Sequence, residues 1–245
     1  MIPLHDANPV RRTPWVTIAI IAINVAVFIF WQGFPIGGVE PNNETQIKSL
    51  VCYGVIPAEV SDLRPLSEVS RFCGGKSVLF SILSSMFLHG SLLHIAGNML
   101  FLWVFGNNIE DRMGRLVFPL FYVAAGAVAV FAQVFPSPNS QVPLVGASGA
   151  IAGTLGAYLV MFPHARIVTL VFLGWFITRA DFSAVVVLGF WFVLQAISSF
   201  TSLGGAADQG GVAYLAHVGG FVFGALVALL FYRGRQRPQP SYLEY

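Results

Sequence analysis

Several stretches of this chain are apolar over about twenty residues, the length that crosses a bilayer as one helix. In lipid a backbone must satisfy its own N–H and C=O groups, which folds such stretches as helices. Composition agrees: 56% of the residues are hydrophobic, 10% are charged, and mean hydropathy is +0.74. Soluble domains carry about 25% charged residues, so the chain reads as an integral membrane protein. Its net charge of +2 carries no information about nucleic acid.

Six spans are expected, giving an all-α, polytopic membrane bundle. The first is Trp15–Phe34, the second Leu92 to about Ile109 and the third Val117–Phe135. The fourth is Ser148 to about Met161, the fifth Ala184–Phe200 and the sixth Val212–Tyr232. The organisation is an inner tail (1–14), a membrane domain (15–232) and a basic inner tail (233–245). The outer loop covers 35–91 and includes an interfacial piece, Ser77–Leu88. The segment Ile167–Ile177 is apolar but short, and Arg179 and Asp181 follow it, so it reads as reentrant or interfacial.

Basic residues orient the bundle. With both termini inside, the inner segments hold Arg11, Arg12, Arg112, Arg115, Arg166, Arg179, Arg233, Arg235 and Arg237. The outer side holds only Lys48, Arg64, Arg71 and Lys76. The first span has no A-x-A site after it and too long a core for a cleaved signal peptide. Arg233, Arg235 and Arg237 read as a stop-transfer anchor, with Pro238 and Pro240 in a disordered end.

Against this background, polar residues inside the spans stand out, because they are costly there and mark functional sites. Ser148 opens the fourth span in VGASGAIAG, and His217 sits in YLAHVGGFVFG one to two turns into the sixth. His94 and Asn98 lie in the first turns of the second. In this topology spans two, four and six all start outside, so the four residues share one depth near the outer surface. Gly149 and Gly153 in span four, and Ala216, Gly220 and Gly224 in span six, recur at four-residue spacing. Small faces of that kind let helices approach closely in lipid. They give Ser148 and His217 a route to a hydrogen bond, although tight packing alone would use the same glycines.

The residue types suit acyl transfer. A histidine in reach of a serine is its general base. A serine at a helix start lies beside N–H groups with no intrahelical acceptor, and these favour a developing negative charge. His94 and Asn98 are four apart, share a helix face and can both donate hydrogen bonds. As a bland alternative, Asn98 could be interhelical glue. Asp208 lies nine residues before His217 and could complete a triad, but a Gly-rich loop favours a solvated carboxylate. His164 falls on the inner side, away from His89, His94 and His217, which argues against a metal site. No H-E-x-x-H motif and no cofactor signature occur, and His5 sits in a polar tail. Cys52 and Cys73 share the outer loop, where pairing and two free thiols are equally open.

The motifs His89-Gly-Ser-Leu-Leu-His94-Ile-Ala-Gly-Asn98, Glu110-Asp-Arg112, Gly146-Ala-Ser148-Gly149 and Ala216-His217-Val-Gly-Gly220 resemble those of rhomboid intramembrane serine proteases. The resemblance covers about Ser77 to Tyr232. It implies a six-helix core with an outward cavity, and a dyad of Ser148 as nucleophile and His217 as base. Asn98, His94 and the Ser148 N–H would stabilise the oxyanion, with Gly146 and Gly149 as active-site backbone. His89 would tie down the first outer loop, Gly220 would be structural, and Glu110 and Arg112 would cap the inner end of span two. The implied partners are membrane-protein substrates with labile transmembrane helices, and lipid. No cofactor, metal or nucleic acid is implied, and a bacterial inner membrane is the expected location.

Two departures stand out. Some members carry a tyrosine four residues after the serine, beneath the histidine ring, where this chain has Ala152. A Trp-Arg pair of the first loop is replaced by Phe80-Ser81. Two competing functions are a catalytically silent, client-binding relative and a six-helix transporter. The silent relatives lack the serine or the histidine. A transporter predicts inverted repeats and a midplane site, and neither is evident.

Overall fold

The computed structural model describes residues 1–33, 44–174, 176–201 and 212–232. Asp208 and the basic tail 233–245 lie outside the described residues. Helix α1 (Trp15–Ala26) continues as a π-helical segment to Trp31. Residues 44–84 fold as short helices: α2 (Glu44–Tyr53), α3 (Pro57–Asp62), α4 (Ser67–Cys73) and α5 (Val78–Ser84). Helices α6 (Leu92–Phe101) and α7 (Asn107–Met113) join through a π-helical stretch into one 22-residue rod. Then follow α8 (Val117–Val134), α9 (Ser148–Met161), α10 (Ala184–Thr201) and α11 (Tyr214–Phe231).

Among the described residues, four helices are long and apolar enough to cross a membrane: Leu92–Met113, α8, α10 and α11. Trp15–Trp31, Val78–Phe87 and α9 are apolar but shorter. Helix α9 is the axis of the fold, buried continuously from Gly149 to Tyr158 and packed between α8 and α11. A helix that is small and apolar on all sides belongs at such a centre. Helix α10 leans chiefly on α11 and leaves Val186, Phe190, Val193, Ile197 and Phe200 exposed, as a lipid-facing helix would.

Glycine is required where α9 meets α11. A side chain at Gly220 would strike the Gly149 carbonyl oxygen, and one at Gly224 the Gly153 carbonyl. The neighbouring group in both cases is backbone, which cannot step aside.

The all-α expectation is corrected at the end of the bundle opposite Ser148. The segment expected to be reentrant or interfacial contributes strands: β2 (Arg166–Leu173) and β3 (Phe176–Ser183) pair antiparallel. The N-terminal tail contributes β1 (Ile2–Asp6), antiparallel to β2, giving the order β1-β2-β3. The β-branched run Arg-Ile-Val-Thr-Leu-Val suits a strand, and Arg179 and Asp181 fit because β3 is largely exposed.

This sheet is tied to the helices by Asp6. Its Oδ2 accepts from Tyr158 Oη of α9 at 2.5 Å and from Asn108 Nδ2 of α7 at 2.7 Å. Burial pushes the Asp6 carboxyl up to about 6, against these hydrogen bonds, which favour its ionised form. A carboxyl with a raised folded-state value binds more protons folded than unfolded. Stability should therefore fall as pH rises from about 4 through about 6. Thermal unfolding in detergent across that range checks this, and Asp6→Asn should flatten the dependence.

The segment of short helices α2–α5 has its own fastenings. Cys52 and Cys73 are disulfide-bonded, with a Cα–Cα distance of 5.6 Å, which resolves the open alternative in favour of pairing. Closing a loop of 21 residues contributes roughly 3 kcal/mol in the chain-entropy account. Beside it, Lys76 and Glu59 form a fully buried ion pair at 2.6 Å. Lys76 Nζ also donates to Val51 C=O at 2.9 Å, and burial pulls its ammonium below the usual lysine range.

Candidate active site

Ser148 is the first residue of α9, and Gly146 sets up the turn that delivers it. Gly146 has φ +122°, which favours glycine, and a side chain there would meet the His94 ring. Its N–H donates to Ser85 C=O at 2.8 Å, while Leu144 and Val55 exchange backbone hydrogen bonds. The strand-like approach to Ser148 is thus held by the segment that carries α2–α5. At the helix start, the first intrahelical donor to Ala147 C=O is the Ile151 N–H, at 3.0 Å. The N–H groups before it, including that of Ser148, have no acceptor within the helix.

Ser148 Oγ lies 2.8 Å from His217 Nε2, across the glycine contact of α9 and α11. The other ring nitrogen, Nδ1, lies 2.7 Å from Gln195 Oε1 of α10. An amide oxygen only accepts, so Nδ1 carries the proton and Nε2 is left free to accept from the serine hydroxyl. The indole of Trp191 packs on the imidazole with centroids 5.9 Å apart, and Tyr214 meets its edge at 6.5 Å. Ala152, fully buried in α9, has neither an aromatic ring nor a polar atom to offer the imidazole; α10 supplies Trp191 and Gln195.

His94 and Asn98 face the same cavity, about 740 Å³ in volume, which Ser148, His217 and Gln195 also line. Ser91 caps α6 by accepting from the His94 N–H at 3.2 Å. Asn98 Nδ2 donates to His89 Nε2 at 2.9 Å, which fixes the amide and leaves its second N–H for another acceptor. His89 is fully buried, and its backbone exchanges two hydrogen bonds with the Gln32 side chain, each 2.9 Å. The His89 and His94 rings meet edge to face at 5.0 Å. Ser148, His217, His94, Asn98 and Gly146 are therefore gathered at one site, with Gly149 and Gly220 in the helix contact behind it.

Glu110 and Arg112 lie at the far end, in α7. The Glu110 carboxylate does not close its own helix. It accepts from Val16 N–H at 3.0 Å, Thr17 N–H at 2.7 Å and Thr17 Oγ1 at 2.8 Å. It therefore caps the start of α1, where unpaired N–H groups and the helix dipole favour a negative charge. Among the described residues no group of three or more His, Cys, Asp or Glu side chains could hold a metal ion.

Sequence reasoning missed Gln195 and Trp191. The signal was present: Gln195 is the one amide in a mostly apolar span, and Trp191 sits one helical turn before it.

Comparison with known proteins adds an independent line. The family model described as Rhomboid domain matches residues 76–234. Rhomboid protein 1, mitochondrial, of Saccharomyces cerevisiae is 33% identical over 150 residues, 60% of this chain and 40% of that protein. Presenilin-associated rhomboid-like protein, mitochondrial, of Bos taurus is 29% identical over 207 residues, 84% of this chain and 45% of that protein. Rhomboid protease GluP of Bacillus subtilis is 31% identical over 192 residues, 78% of this chain and 33% of that protein. The aligned part is thus less than half the length of each of these relatives.

Proposed function

Because the chain belongs to the rhomboid family, we propose that it is an intramembrane serine endopeptidase cutting transmembrane helices near the outer face of its membrane. The observation that carries this reading is the 2.8 Å contact of Ser148 Oγ with His217 Nε2. The protein is a multi-pass integral membrane protein; on this reading the four long helices and the shorter α1 and α9 together make a six-helix core with both termini inside. The shortness of α9 supports a site below the outer surface. Its 14 residues rise only about 21 Å, less than the ~30 Å of a hydrocarbon core. With its far end tied to the sheet by Asp6, its start lies beneath the membrane surface, where the cavity admits water.

The chemistry follows from the donors present. Ser148 Oγ attacks the peptide carbonyl carbon while its proton passes to His217 Nε2. The oxyanion accepts from the Ser148 N–H, the free N–H of Asn98 and His94. His217 returns the proton to the leaving amine, and a cavity water, deprotonated by His217, hydrolyses the acyl-enzyme. A spanning helix hides its carbonyls in internal hydrogen bonds. Substrates are therefore membrane proteins whose helices unwind readily near the outer surface. A bacterial inner membrane draws no support from the two mitochondrial relatives, whereas the cystine of the outer loop fits an oxidising outer compartment.

The test is a fluorophosphonate probe with the protein purified in detergent. Mass spectrometry should find the adduct on Ser148, and Ser148→Ala should abolish both labelling and cleavage of a fluorogenic transmembrane peptide. An unlabelled Ser148, or cleavage surviving Ser148→Ala, would sink the protease reading.

A further inference from the structure

On α9 the ring meets Ser148 Oγ itself, and Ala152 carries only a methyl group, with no hydrogen-bonding atom or ring to hold the far side of the base. On α10, Gln195 faces the nitrogen of His217 that does not meet the serine, at 2.7 Å. On the protease reading above, we infer that Gln195 is the positioning residue of this site, a neutral third member behind Ser148 and His217. Its Oε1 accepts the Nδ1–H of His217, which selects the tautomer with a free Nε2 and aims that lone pair at Ser148 Oγ.

Three observations support this role. Trp191, four residues earlier on the same helix face, covers the ring, so α10 fixes both the plane of the imidazole and its rotation within that plane. The Gln195 turn is itself braced, since its backbone carbonyl accepts from Ser199 Oγ at 2.8 Å. The chemistry also suits the solvent. An amide oxygen stabilises the imidazolium formed as the proton transfers, without the desolvation cost a carboxylate carries in a membrane. Gln195 touches no reacting atom, so its effect passes through the geometry of His217.

The role depends on an acceptor oxygen and not on volume, and two substitutions separate these. Gln195→Met keeps the length and removes the acceptor. It should lower kcat roughly ten- to hundredfold, the scale of one lost orienting hydrogen bond in the transition state, with KM little changed. Gln195→Glu keeps an acceptor oxygen, whether ionised or protonated, and should recover most of that kcat. Both are measured as cleavage of a fluorogenic transmembrane peptide, with thermal unfolding in parallel. If Gln195→Met cleaves as fast as the unaltered protein, or Gln195→Glu is as slow as Gln195→Met, the inference is overturned. Those results would leave the protease reading standing, because that reading falls only if Ser148 itself proves dispensable.

Discussion

Replacing His217 by alanine should lower kcat by about 10⁴ to 10⁶, the scale seen when a serine loses its only general base. Among the described residues the ring makes the one contact that can take the Ser148 proton, at 2.8 Å. Gln195 cannot substitute, because its acceptor faces the opposite nitrogen. KM should stay within a few-fold, since the imidazole contributes to proton transfer far more than to holding a transmembrane peptide. The double variant Ser148→Ala/His217→Ala should be no slower than either single one, because residues that act as a unit are not additive. Steady-state cleavage of a fluorogenic transmembrane peptide gives all three values. A loss of tenfold or less in His217→Ala would mean that another group serves as base.

How far this site could be read from the sequence depended on cost. Ser148, His217, His94 and Asn98 announced themselves because each is expensive in lipid, and because three segments put them at one depth. The same argument applied to Gln195, yet an amide in the middle of α10 gave no sign of its partner, 22 positions away on another helix. Ala152 marks the loss of a neighbour on α9, whereas the partners that hold the ring are Gln195 and Trp191 of α10. The cysteine pair was ambiguous for the related reason that spacing does not give the 5.6 Å separation of its Cα atoms.

Errors of fold arose where hydropathy and long-range pairing disagree. The run Ile167–Ile177 is as apolar as a membrane segment, but its role was set by residues 2–6, which pair with it from the far end of the chain. Glu110 shows the same effect in a side chain. It lies at the end of its own helix, yet its carboxylate serves Val16 and Thr17, more than ninety positions earlier. Local pattern predicts helices and their apolar faces, whereas the partner of a strand or a capping carboxylate is decided by which ends the folded bundle brings together.

Enlarging Gly224 should be more damaging than changing any surface residue of the bundle. A side chain there would run into the carbonyl, carbonyl carbon and Cα of Gly153, all backbone atoms of the central helix. Relief requires α11 to move away from α9, and rigid overpacking of this kind costs about 3 kcal/mol or more. The same displacement would open the gap between His217 on α11 and Ser148 on α9. A misplacement of about 1 Å between reacting groups is worth roughly a hundredfold in rate. Gly224→Leu should therefore lower the thermal unfolding temperature in detergent. Any protein that still folds should label with a fluorophosphonate at least about a hundredfold more slowly. Gly189→Ala is the control: it sits on α10 with nothing within 4 Å of an added methyl, and should match the unaltered protein in both assays. If Gly224→Leu unfolds and labels like the unaltered protein, the close approach of α9 and α11 is not what brings the serine and the histidine together.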